Sequence, residues 1–131
     1  MRKYILFFSL LFLVACSEQI SGQHRNYLMN EDWIVKEKLE ETKYELNMPE
    51  EILVNYDASG VTFFRDYQNQ EVTKYIYLLK EKDIEGANIK AVIFENDGKI
   101  IGGYGVLSSW TPGVFNLEEK ERLIAENKIN Q

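Results

Sequence analysis

The feature that most constrains the fold is an Asp97-Gly98 pair set between two alternating runs. Residues 89–95 place Ile89, Ala91 and Ile93 on one face and Val92 and Phe94 on the other. Residues 99–107 are again apolar and β-prone, with glycines at 102, 103 and 105. Asp-Gly tolerates the positive φ angles of a two-residue turn, so Asn96-Asp97-Gly98 predicts an antiparallel hairpin. Residues 73–79 predict a further strand, with Tyr75, Tyr77 and Leu79 facing one way and Ile76 and Leu78 the other. Around these lie weaker signals. Trp33-Ile34-Val35 reads as a strand start, and Lys43-Tyr44-Glu45-Leu46 alternates as a strand. Residues 36–42, with Leu39 alone apolar, fit helix or strand.

Asn47-Met48-Pro49-Glu50-Glu51 reads as a helix start, with proline in the first turn and two acids at the positive end of the dipole. Ile52, Leu53 and Tyr56 share its apolar face, and Ser59-Gly60 ends it. Asn116 followed by Glu118-Glu119 caps a last helix. The sum is an α+β domain: three to five antiparallel strands and one or two packing helices.

The N-terminus carries a different pattern. Arg2 and Lys3 precede residues 4–15, of which only Ser9 is not apolar or aromatic. A bilayer span needs about 20 apolar residues, so the run suits the central region of an export signal. It ends in Leu13-Val14-Ala15-Cys16, which resembles the lipobox of bacterial lipoproteins. That resemblance implies a diacylglycerol thioether on Cys16, cleavage before it, and an N-acyl chain such as palmitate on the new terminus. The expected organisation is a cleaved signal peptide over 1–15, a lipid-anchored flexible tether over 16–30, and one extracytoplasmic domain over 31–131. An ordinary secretory signal with a chance cysteine is the alternative. A tether of about 14 residues would reach roughly 20 Å. Two acyl chains anchor stably where one does not. Cleavage takes the formal net charge from −6 to −8, so an anionic membrane surface would repel the domain.

Chemistry-bearing residues are sparse. The acidic balance argues against nucleic acid as a partner. The sole cysteine is assigned to lipid. The sole histidine, His24, falls in the expected tether, where nothing would orient it as a base. No zinc-ligand set is apparent, and no cofactor is implied. The acidic pairs Glu40-Glu41, Glu50-Glu51 and Glu118-Glu119 point apart within each pair and read as solvated surface. A carboxylate-dependent cell-wall hydrolase, with two acids brought together from distant positions, is the alternative to a non-enzymatic module.

Asn55, Asp57, Ser59 and Asp66, with Gly60 at the sixth position, resemble a calcium loop. A neutral first ligand and the shorter Asp at the twelfth depart from that pattern, and a helix end with an Asp/Ser/Gly turn explains the same residues. Gly102-Gly103-Tyr104-Gly105 lacks the G-x-G-x-x-G spacing of a dinucleotide loop. Such glycines mark a bulge or a close approach of another backbone or a glycan. Trp110 and Phe115 flank a loop whose aromatics either anchor a partner or cover an open sheet face. Gly102, Gly103, Tyr104, Trp110 and Phe115 are therefore the candidate partner surface.

From Trp33 onward the order of features resembles a family of small lipoproteins and secreted proteins of Gram-positive bacteria built on a domain of unknown function. The matching blocks are Trp33-Ile34-Val35, Asn47-Met48-Pro49-Glu50-Glu51-Ile52, Thr73-Lys74-Tyr75-Ile76-Tyr77, Ala91-Val92-Ile93-Phe94 and Asp97-Gly98-Lys99-Ile100-Ile101-Gly102-Gly103. The resemblance implies an α+β sheet domain, which the lipobox reading would place on the outer face of the cell membrane. It carries no catalytic residues. The partner expected is a protein or cell-wall component, in addition to the bilayer that holds the acyl chains of Cys16.

Overall fold

The computed structural model describes residues 20–110 and 113–130. Residues 1–19, which hold the expected signal peptide, Cys16 and the first residues of the expected tether, and the Thr111-Pro112 part of the aromatic loop lie outside the described residues.

Five antiparallel strands follow one another in space as in sequence. They are β1 (Val35–Glu45), β2 (Glu71–Lys82), β3 (Asn88–Asn96), β4 (Lys99–Val106) and β5 (Val114–Phe115). Among the described residues three helices accompany them, α1 (Gly22–Met29), α2 (Glu50–Ala58) and α3 (Lys120–Ala125), with 3-10 turns at Phe63–Tyr67 and Leu117–Glu119. The α+β class is as expected.

The hairpin forms where Asp97-Gly98 stands. Their φ angles, 54° and 77°, are those of a type I′ turn, whose twist matches the flanking strands. Residues 36–42 resolve as strand, because Glu37 to Thr42 pair across to Leu78 through Lys74. Pro49 stands just before α2 rather than inside it, with ψ at 156°. Gly60 ends that segment at φ +82°. Asn116 caps the last helical segment, its side chain accepting from the Glu118 N–H at 2.9 Å.

The sheet has a core on each face. On one, α1 and the C-terminal segment bury Leu28, Trp33, Tyr77, Ile93, Phe115 and Leu123. On the other, α2 and the 3-10 turn at Phe63–Tyr67 bury Leu53, Phe64, Val92, Phe94 and Tyr104. The central strand β3 is accordingly apolar on both faces from Ala91 to Phe94.

One expectation is corrected by α1. Residues 20–30 were expected to be flexible tether, yet Gly22–Met29 is helical, with His24 and Leu28 fully buried. Ser21 caps it, accepting from the His24 N–H at 3.4 Å. Ile20, His24, Tyr27 and Leu28 fall at i, i+4, i+7 and i+8, one helical stripe that docks on the sheet. The ordered domain therefore begins before residue 31.

Candidate functional site

The glycine strand is the most unusual local geometry. A Cβ on Gly102 would stand 2.3 Å from the Phe63 ring, and one on Gly105 would stand 2.1 Å from the Phe115 ring. A Cβ on Gly103 would meet the Val92 carbonyl at 2.7 Å, with Tyr27 at 3.3 Å. These separations are far inside van der Waals contact, so β4 is glycine-rich because aromatic rings lie on both its faces. A bulge accompanies them: Phe94 pairs with Gly102 and Glu95 with Ile100, leaving Ile101 over.

The expected partner surface divides accordingly. Tyr104 and Phe115 are core residues, 8% and 3% exposed, so neither offers a surface. Burial, with Tyr56 beside it, pushes the Tyr104 hydroxyl well above its ordinary range. Phe115 covers the sheet, packing against Trp33 at 5.5 Å between ring centroids. Trp110 stays 40% exposed, with the Lys128 ammonium 5.3 Å from its ring. Gly102 and Gly103 lie elsewhere, in the floor of a groove.

That groove, of about 300 Å³, runs along the β4 edge. Tyr27 and Glu31 wall it on the α1 side, and Thr62 and Phe63 on the α2 side. Asn116 and Glu118 close one end. Asn116 is itself held by donating from Nδ2 to the Gly60 carbonyl at 3.2 Å. Among the described residues its charged lining is Glu31 and Glu118 alone. Burial, then Glu118 and Glu31, push the Tyr27 hydroxyl up, the mark of a negative field.

A second constellation had no sequence expectation. His24 Nε2 lies 2.5 Å from a Glu95 carboxylate oxygen, and Nδ1 lies 2.5 Å from the Tyr77 hydroxyl. With Nε2–H donating to the carboxylate, Nδ1 accepts from Tyr77. Carboxylate, imidazole and hydroxyl are connected as in a proton relay. Both His24 and Tyr77 are fully buried, however, so no substrate reaches the terminal oxygen. The Tyr77 hydroxyl is pushed up by burial and neighbouring Tyr75, further from any nucleophilic form. The arrangement pins α1 to β2 and β3. The reading that nothing orients His24 is thus corrected. The signal for it was the Ile20, His24, Tyr27, Leu28 stripe, hidden in an otherwise polar segment.

The calcium-loop residues are not gathered as ligands. Asn55 and Asp57 lie within α2, Ser59 is its C-cap, and Asp66 sits in the 3-10 turn. Asp57 accepts from the Arg65 guanidinium at 2.6 Å, and Arg65 also reaches Glu50 at 2.9 Å. A helix and an ion pair account for those residues. Among the described residues no group of three or more His, Cys, Asp or Glu is placed to hold a metal ion. Several acids of the sequence pairs face cations: Glu40 faces Lys74, Glu41 faces Lys38, and Glu119 faces Arg122.

Comparison with protein families, with curated proteins and with solved structures finds no match to the chain.

Proposed function

We propose that the chain is a lipoprotein held on the extracytoplasmic face of the cell membrane, where it serves as a non-enzymatic binding or accessory module for a protein or cell-wall component. The observation that carries the anchor is Leu13-Val14-Ala15-Cys16 at the end of a short apolar run behind Arg2 and Lys3. The binding role is supported by the groove beside Gly102 and Gly103, a concave surface built from segments distant in sequence.

The early start of α1 refines the reading. Only residues 17–21 separate Cys16 from Gly22, a span of at most about 20 Å when extended. A domain on so short a leash works on partners at the membrane surface. Cys16→Ala tests the anchor. The variant is expected to leave the membrane fraction or to accumulate uncleaved, and normal processing with unchanged fractionation would refute the reading. Crosslinking on intact cells, followed by recovery of the full chain, tests for the partner.

The alternative, a carboxylate-dependent wall hydrolase, draws on one observation. A depression beside β2 and β3 is lined by Glu41, Glu71, Glu95 and Asp97. Release of soluble fragments from purified cell wall, abolished by Glu95→Gln, would favour it over the binding module.

A further inference from the structure

The two edges of the sheet are protected to very different degrees. An edge strand exposes unpaired N–H and C=O groups, and proteins blunt it with charges and irregularities. On β1, Lys36, Glu37, Lys38, Glu40, Glu41 and Lys43 mix both signs of charge, and the strand's register breaks twice. On the opposite side, β5 covers β4 only at Gly105 and Val106. The rest of that edge, from Ile100 to Tyr104, carries no charge and no covering strand among the described residues.

The backbone there is turned outward. The Leu107 N–H donates to the Gly113 carbonyl at 2.7 Å, so Leu107 faces the β5 side. Alternation along a strand puts Gly105 and Gly103 on the same side. Gly105 meets Phe115 of β5, but the chain leaves the edge at Asn116, and among the described residues no strand pairs with Gly103 on the side away from β3. The outward N–H and C=O of Gly103 thus open into the groove between Tyr27 and Phe63. The space a side chain would take at 102 and 103 is filled by Phe63 and Tyr27, so those rings flank the exposed backbone.

We propose that this groove takes an extended segment of a partner protein, which adds to β4 beside Ile101–Gly103 in continuation of β5 and carries lysine or arginine toward Glu31 and Glu118. The inference rests on the binding-module reading and specifies its site and ligand class. Backbone groups facing the slot fit a polypeptide, and the two acids at its rim select a basic one. A second copy of this chain is disfavoured, because it would bring the same acids and another net negative domain to the rim.

The test uses the full lipidated chain, ¹⁵N-labelled, in detergent micelles. The probes are capped heptapeptides of alternating valine and threonine, with lysine at two threonine positions. Matched peptides carry glutamate there, or N-methyl groups on alternate amides. The lysine peptide is expected to shift the amide signals of Ile101 to Gly103. Either replacement should weaken binding at least tenfold, and the double variant Glu31→Lys with Glu118→Lys should reverse the lysine-to-glutamate preference. Equal binding of the N-methylated peptide, shifts confined to other strands, preference for wall saccharide at this slot, or a concentration-dependent dimer through β4 would each overturn the proposal. If no peptide binds while crosslinking still captures a saturable envelope partner, strand addition fails and the binding module stands. Loss of membrane anchoring and of any partner would instead remove the module reading itself.

Discussion

Replacing His24 by alanine tests whether α1 belongs to the fold or merely rests on it. The imidazole is fully buried and bridges Tyr77 and Glu95, partners 53 and 71 residues away in sequence. Its removal strands the buried Tyr77 hydroxyl, at a cost of about 1–3 kcal/mol for an unsatisfied buried group. Glu95 keeps 15% of its side chain exposed, so water and the Tyr75 hydroxyl, 3.4 Å away, offset part of its loss. The vacated ring volume adds on the order of 1–2 kcal/mol of lost packing. Together these come to about 3 kcal/mol, a large share of the roughly 5–15 kcal/mol that holds a domain together. Urea unfolding followed by Trp33 fluorescence reads this directly, since Trp33 is fully buried and donates from Nε1 to the Leu117 carbonyl at 2.8 Å. At a slope of about 1.5 kcal/mol/M, the midpoint should fall by about 2 M. Tyr77→Phe should cost less. The double variant should show coupling of about 1 kcal/mol or more, because the two groups share one hydrogen bond. A midpoint within about 0.3 M of the parent, or additive single variants, would refute the idea that this contact holds the helix.

Other outcomes follow from the same geometry. Gly102→Val and Gly105→Val place side chains inside the Phe63 and Phe115 rings, so each should lower stability by about 2 kcal/mol or more in thermal unfolding. Gly86→Ala, where a Cβ meets nothing within 4 Å, should be milder despite its φ of +88°. Asp83 supplies a pH test. Burial pushes its carboxyl up, but Ser109 and the backbone N–H groups of Ala87 and Glu85 outweigh that and hold it below the ordinary Asp value. Asp83 Oδ1 accepts from both N–H groups at 2.9 Å, and Oδ2 makes no bond of standard geometry although Ser109 lies close enough to favour the charged form. A lowered folded pKa stabilises above the unfolded value, about 3.9, and the benefit disappears as pH falls through the folded value. Wild-type urea midpoints should therefore drop below about pH 4, and Asp83→Asn should flatten that part of the curve. Calcium at millimolar concentration should leave the melting temperature unchanged, since Asp57 is engaged by Arg65; a rise that depends on Asp57 would contradict this.

What could be read from residues alone was local. The Asp97-Gly98 turn, the Asn116 cap and the alternation around Tyr75, Tyr77 and Ile93 follow from short-range rules, and they appear where those rules place them. Residues 36–42 were ambiguous because charges alternate on an exposed edge as readily as on a helix, and pairing with β2 decides the matter. The N-terminal helix was hidden for a related reason. Its apolar stripe is three side chains and a histidine, and the histidine counts as buried only once Tyr77 and Glu95 stand opposite. Glycines on β4 announced that something approaches closely. That the visitors are Phe63, Tyr27 and Phe115 depends on contacts with other segments, two of them tens of residues away. Tyr104 and Phe115 seemed available to a partner for the same reason: the two layers that cover them come from distant parts of the chain.

The meander order of the strands bears on how the domain comes together. Each strand finds its neighbour next along the chain; β2, β3 and β4 are joined by short loops, whereas β1 reaches β2 only across the segment that carries α2. The N-terminal helix is the exception, since it waits for strands made much later before His24 has anything to grip. The long-range contact that fastens it therefore sits beside the end that the lipid is proposed to hold.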